Sequence, residues 1–206
     1  MDKNSVCRNC RREGVKLFLK GQRCSSPNCP IERKGAVAPG KKANSKRRNT
    51  RLSDYGQQLR EKQHLKRVYG LEEKQFRQYF LKAKKAKSET IETFLQFLES
   101  RLDNIVYRLG FAPSRDSARQ LVGHGHVLVD GKKVDISSYR VKEGATVSLS
   151  SKALKMPQIL ETMNKQEGIP GWLERKAAVG RVKKLPIREE VDTGVDEQAV
   201  VEFYSK

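Results

Sequence analysis

Four cysteines carry the first chemistry legible in this chain, and all lie within its first thirty residues. Cys7 and Cys10 are separated by two residues, Cys24 and Cys29 by four, and thirteen residues join the two pairs. Two close pairs on one short loop let four thiolates surround a tetrahedral ion. Arg8, Arg11, Arg12 and Arg23 stand beside them, where positive charge favours thiolate and offsets the double negative charge of a zinc tetrathiolate. A structural Zn2+ is therefore expected, with an iron–sulfur cluster or plain reduced thiols as the alternatives. A cytoplasmic chain is expected, and its reducing surroundings argue against two disulfides. Nothing in the segment suggests an open coordination position, so a hydrolytic centre is not expected. Apolar residues are scarce here, and a bound ion would serve as the core.

A second pattern suits phosphate. The stretch SRDSARQLVGHGHVLVDG, from Ser114 to Gly131, reads as a short basic helix running into a tight hairpin. Ser114 is a good N-cap and Asp116 suits the positive end of the helix dipole. Ala118, Leu121 and Val122 give an apolar side, while Arg115 and Arg119, four apart, share another face. Gly123 and Gly125 stop the helix, and Asp130-Gly131 is the dipeptide of a type I′ turn. Lys132 and Lys133 follow at the tip. Two guanidiniums beside a lysine-tipped hairpin fit a phosphate backbone better than they fit catalysis.

Composition agrees. Forty-three Lys and Arg face 24 acidic residues, a formal net charge of +19, which a polyanion would neutralise. Only 7% of residues are aromatic, too few for a binder that works mainly by base stacking. No apolar run approaches the roughly 18 residues of a membrane span, and the N-terminus lacks a signal-peptide core. The cations are spread along the chain rather than gathered in one amphipathic anchor, which disfavours a membrane surface. No phosphate-binding glycine loop, paired-carboxylate site or nucleophile–histidine arrangement is visible. His124 and His126 flank Gly125, where RNA contact or turn packing is favoured over metal ligation; His64 lies apart.

Several elements must position these groups. Residues 35–51 are a loop-like basic run without an acidic residue. A helix is expected from Leu52 to Tyr69, capped by Ser53, with Arg60, Lys62, Lys66 and Arg67 mostly outward and included as candidate RNA contacts. A second, from Glu72 to Lys87, buries Phe76, Tyr79, Phe80 and Ala83. The longest stripe, Ile91 through Leu109, predicts one core-facing helix from Thr90 to Leu109, with Arg101 and Arg108 on a shared face off the stripe. That helix, the Arg115–Arg119 helix, the Val127–Val129 hairpin and a strand at Thr146–Ser150 predict a compact unit near 92–151. Ala153–Lys165 reads as helical, Gly168–Arg181 as irregular with Trp172 as a packing anchor, and EQAVVEFYSK as a short terminal strand, a helix being the alternative. Glu189, Glu190, Asp192, Asp196 and Glu197 form one acidic zone, facing solvent or a basic protein.

The segments CRNCRREGVKLFLKG, RLSDYGQQLREKQ, ESRLDNIVYRLGFAPSRDSARQLV, HGHVLVDGKKVD and the closing VVEFYS, in that order, resemble the bacterial S-four family of small-subunit ribosomal proteins. The resemblance covers nearly the whole chain, and the four cysteines match its zinc-retaining branch. It implies an α+β fold: a zinc-binding basic segment (1–45), a helical domain (46–91, completed by 158–206) and an inserted α/β RNA-binding module (92–157). It implies a primary 16S rRNA binder that starts assembly of the 5′ domain, with RNA-facing roles for Arg101, Arg108, Ser114, Arg115, Arg119, Gln120, His124 and Lys132. It assigns Arg47, Arg48 and Arg51 to the mRNA entry channel, and the C-terminal region to a contact with ribosomal protein S-five associated with decoding accuracy. No homo-oligomer is expected. An RNA-modifying enzyme would need a catalytic domain that this chain does not suggest. A DNA-reading zinc-finger regulator would need its cations on one recognition helix.

Overall fold

The computed structural model describes residues 5–40, 52–86, 88–165 and 168–205. Arg47, Arg48 and Arg51, with most of the 35–51 run, lie outside the described residues. The fold mixes helix and sheet. Its helices are α1 (Ser5–Glu13), α2 (Pro30–Lys34), α3 (Asp54–Val68), α4 (Glu73–Lys84), α5 (Thr90–Glu99), α6 (Leu102–Arg108), α7 (Arg115–Gly123), α8 (Ser151–Leu154), α9 (Pro157–Lys165) and α10 (Glu197–Ser205). Its strands are β1 (Val127–Val129), β2 (Lys132–Lys133), β3 (Thr146–Leu149), β4 (Leu173–Lys176) and β5 (Val179–Val182).

Contacts divide the chain into two units, Met1–Glu73 with Thr193–Lys206, and Lys74–Asp192. In the first, α10 packs along α3, with the rings of Tyr55 and Phe203 5.6 Å apart. Ser53 caps α3 as expected, its hydroxyl accepting from Gly56 N at 3.2 Å, an arrangement worth about 1 kcal/mol. The C-terminal segment is thus helical rather than a strand. Val200 is buried on its inner side, and Thr193 Oγ1 donates to Glu197 Oε1 at 2.5 Å in its first turn.

The second unit holds the sheet, in the antiparallel order β2-β1-β3-β5-β4. Alternation sets its inner face: Val127, Val129, Val147, Leu149 and Val182 join Leu102, Ile105, Val106, Leu109, Phe111 and Val122 in one core. Phe76 and Phe80 meet Phe94 edge to face at 5.1 and 5.7 Å, so these rings are core, as expected. Asp130 and Gly131 both take positive φ, 47° and 77°, as the type I′ turn requires.

Further differences from the sequence-based expectation have physical causes. The helix expected over 90–109 is broken at Ser100 and Arg101, because the loop 137–141 supplies competing backbone partners. Leu102 N donates to Tyr139 O at 2.9 Å, Asp103 N to Ser137 O at 3.1 Å, and Val141 N to Ser100 O at 2.9 Å. The helix expected over 153–165 is split ahead of Pro157, whose ring disfavours helical backbone at Met156. The segment 168–181, expected to be irregular, contains the β4–β5 hairpin. Its turn is Ala177-Ala178, with Ala177 at φ 50°, so no Asn or Gly announced it. Trp172 is 1% exposed, the packing residue that was expected. Because β5 pairs with β3, residues 173–182 lie with the sheet, whereas the expected division placed 158–206 with the helical segment.

Candidate RNA-binding site

The break between α5 and α6 places three acceptors against the base of α7. Glu99 ends α5 and is fully buried; Asp103 and Asn104, 2% and 1% exposed, open α6. Four arginines converge on them. Arg108 Nε and one terminal nitrogen reach Glu99 Oε2 and Oε1 at 3.0 and 2.8 Å. Arg101 is itself 4% exposed: it grips both oxygens of Asp103 at 2.9 and 2.7 Å and donates to Tyr79 OH at 2.8 Å, a buried brace for the cluster and not the outward-facing cation expected. Arg119 meets Asp103 Oδ2 at 3.1 and 3.0 Å, with Asp116 3.8 Å away. Arg115 Nε donates to Asn104 Oδ1 at 2.8 Å, and its guanidinium lies over the Tyr107 ring, 4.6 Å from the centroid.

Two buried carboxylates among four guanidiniums leave this cluster net positive. Burial opposes the charge of Arg101, but the hydrogen bonds and charge of Asp103 outweigh it and raise its pKa further. Arg101 therefore holds its charge inside the cluster. A net positive patch of guanidiniums attracts a polyanion.

Around it, Ser114 caps α7 by accepting from Ser117 N at 3.2 Å, and is itself buried. Its role is to start the helix that carries Arg115 and Arg119. Gln120, His124 and Lys132 are exposed along α7 and the hairpin. Gly125, at φ 68°, has the Lys133 stem lying over it, where a Cβ would fall 1.9 Å from Lys133 Cε. Asp130 Oδ1 accepts from Thr146 N and Oγ1 at 2.8 and 3.0 Å, which ties the hairpin tip to β3 and holds this carboxyl below its usual pKa. Exposed Arg140, over the Phe97 ring at 4.5 Å, extends the basic surface. Sequence reasoning passed over Arg140 and the three acceptors. The only signal was a pair of acids and an asparagine interrupting an apolar stripe.

The cations of α3 are placed differently. Lys62 is 4% exposed, with Nζ 2.8 Å from Glu73 Oε1 and 4.8 Å from the Phe203 ring centre. Lys66 reaches Glu73 Oε2 at 3.0 Å. Burial disfavours the Glu73 charge, yet hydrogen bonds from Lys62, Tyr204 and Lys66 together bring its pKa down to about 2. Arg60 donates to Arg12 O at 2.9 Å, and both Arg60 and Arg67 pair with Glu13. These four are engaged inside their own unit.

In the N-terminal segment Cys10, Cys24 and Cys29 are buried and Cys7 partly so. Burial pushes the Cys10 and Cys24 thiols up, with smaller contributions from the neighbouring thiols. Lys20 N donates to Cys24 Sγ at 3.3 Å. The donor set and its burial fit a tetrathiolate metal. Among the described residues, however, no three or more His, Cys, Asp or Glu side chains are closed into a ligand shell. Among those same residues no helix is long and apolar enough to cross a membrane.

Comparison with known proteins bears on both units. A family model described as the ribosomal protein S4/S9 N-terminal domain matches residues 2–99, and one described as the S4 domain matches 100–147. The chain is 53% identical over 208 residues to small ribosomal subunit protein uS4 of Syntrophus aciditrophicus, covering 99% of this chain and 98% of the relative. The protein of the same name from Dictyoglomus thermophilum is 52% identical over 202 residues, covering 97% and 96%. That of Thermus thermophilus is 48% identical over 205 residues, covering 98% and 97%.

Proposed function

The chain belongs to the bacterial ribosomal protein uS4 family, and on that premise we propose that it is a primary 16S rRNA binder that nucleates small-subunit assembly. It is a structural component of the small ribosomal subunit with an S4 RNA-binding domain, and not an enzyme. The finer reading rests on one observation, the gathering of Arg108, Arg115 and Arg119 around the buried Arg101 at the α5–α6–α7 junction. Rigid guanidiniums beside a basic hairpin suit the phosphates of a folded RNA, whose base edges lie in a deep groove. Arg47, Arg48 and Arg51 would serve the mRNA entry channel. The contact with S-five would fall on the C-terminal segment. Its support is a cavity of about 550 Å³ in the first unit, lined by Asp54, Glu61, Asp196 and Glu202 with only Arg60 among basic residues.

Filter binding tests the rRNA claim. The purified chain should prefer a native 16S 5′-domain transcript to a shuffled RNA of equal length at moderate salt, and should cosediment with small subunits. Equal retention of both RNAs would sink it.

A structural zinc at Cys7, Cys10, Cys24 and Cys29 completes the proposal, and would supply the charge that lets buried thiols ionise. One zinc per chain by metal analysis, with a lower melting temperature after chelation, is the expected result. A metal-free preparation that melts identically with and without added zinc would refute it.

A further inference from the structure

We propose that Asn104 is a positioning residue for RNA binding, holding the guanidinium of Arg115 as a preset phosphate receptor. This rests on, and deepens, the RNA-binding role assigned above. The Asn104 amide lies between two charged groups. Its Nδ2 donates to Glu99 Oε2 at 2.7 Å and to Glu99 O at 3.0 Å, and its Oδ1 accepts from Arg115 Nε at 2.8 Å. An ionised carboxylate only accepts, so the NH2 must face Glu99 and the oxygen is left for the arginine. Arg108 fixes Glu99 in turn, bidentate at 3.0 and 2.8 Å. The Tyr107 ring then lies against the guanidinium of Arg115, its centroid 4.6 Å from Cζ.

A guanidinium held at Nε and against one ring is ordered before any ligand arrives. An arginine loose on a helix surface must instead be ordered on binding, which weakens association. Asn104 also differs in kind from the acceptor serving Arg119. Asp103 orients a guanidinium and cancels charge; Asn104 orients one and adds no negative charge. A carboxylate at 104 would in addition repel Glu99 at hydrogen-bond distance. An amide satisfies both neighbours, which explains a neutral residue at 1% exposure between an acid and a base.

The test is a double-mutant cycle on the full chain, measuring affinity for a 16S 5′-domain transcript by filter binding, with thermal melts of each variant. Asn104→Ala should weaken binding about tenfold, the effect of one long side chain left unordered. Added to Arg115→Ala, it should weaken binding no further, because its effect passes through that arginine. Arg115→Lys keeps the charge but loses the Nε bond and the guanidinium that lies over Tyr107, and should bind nearly as poorly as Arg115→Ala. The inference is overturned if Asn104→Ala binds as wild type, if the two alanine penalties multiply, or if Arg115→Lys restores affinity. The lysine variant decides the matter if Asn104→Ala does not fold. If Arg115→Ala itself leaves affinity unchanged, the RNA-facing role of α7 fails first, and this inference with it.

Discussion

Removing the charge of Glu73 should uncouple the first unit from acid. Its carboxylate accepts from Lys62 Nζ at 2.8 Å, Lys66 Nζ at 3.0 Å and Tyr204 OH at 2.8 Å, joining both ends of α3's last turns to α10. The Glu73 pKa falls from an ordinary 4.5 to about 2 despite burial that opposes ionisation. Linkage, at roughly 1.4 kcal/mol per pH unit, caps the contribution at about 3 kcal/mol. The Glu73 side chain is 45% exposed, so water screens much of this, and about 1 kcal/mol is the expected net value. Because the folded pKa is the depressed one, that stability is complete above pH 4.5 and disappears as pH falls through about 2. Glu73→Gln keeps the shape and one acceptor oxygen while removing the charge. Urea unfolding followed by far-UV circular dichroism should place the variant about 1 kcal/mol below wild type at pH 7. The gap should narrow steadily between pH 4.5 and 2. A gap of the same size at both ends of that range would show that the ion pairs do not stabilise the fold through charge.

Other outcomes follow from single contacts. Ser100 Oγ is, among the described residues, the buried side-chain polar atom without a hydrogen-bond partner, so Ser100→Ala should leave stability unchanged or raise it by about 1 kcal/mol in urea titrations. Gly180→Ala would put a Cβ 2.3 Å from Cδ1 of Leu109, a fully buried residue with little room to retreat; a loss of about 1–3 kcal/mol is expected by thermal denaturation. Arg115→Ala with Arg119→Ala should flatten the log–log salt dependence of rRNA affinity by about 1 to 2 units, one phosphate contact for each side chain. Asp103 keeps its bidentate partner Arg101, so the double variant should still fold, as its circular dichroism spectrum would report.

Recognition of the elements depended on how local their causes are. The caps at Ser53 and Ser114, the Asp130-Gly131 turn and the burial of Phe76, Phe80 and Ala83 on α4 follow from residues a few positions apart, and each stands where the sequence put it, while Tyr79, expected with them, is only partly buried. The split ahead of Pro157 has a local cause in the residue before a proline, whereas the other differences are tertiary. Nothing within 90–109 says that Ser137, Tyr139 and Val141 will capture the backbone at the middle of its apolar stripe. Nor does Ala177-Ala178 carry a turn signal; pairing of β5 with β3 holds Ala177 in a backbone conformation that alanine disfavours. The candidate site divided along the same line. Arg115 and Arg119 were legible from their helical spacing. The arrangement of Arg101 and Arg108 around buried acids was not, because it arises from the helix break.

The amino-acid sequence alone determined the positive charge, the thiol pairs, the helix that presents Arg115 and Arg119, and the family likeness, since each is a matter of residue type and short spacing. Only the tertiary structure decided which cations face outward. Lys62 looks like a surface base in the pattern of α3, yet lies 4% exposed against Glu73 and Phe203. Arg115 looks like a free cation, yet is held by an asparagine eleven residues away. Charge is a property of the residue, but where it points is set by whichever distant acceptor the fold brings within hydrogen-bond reach.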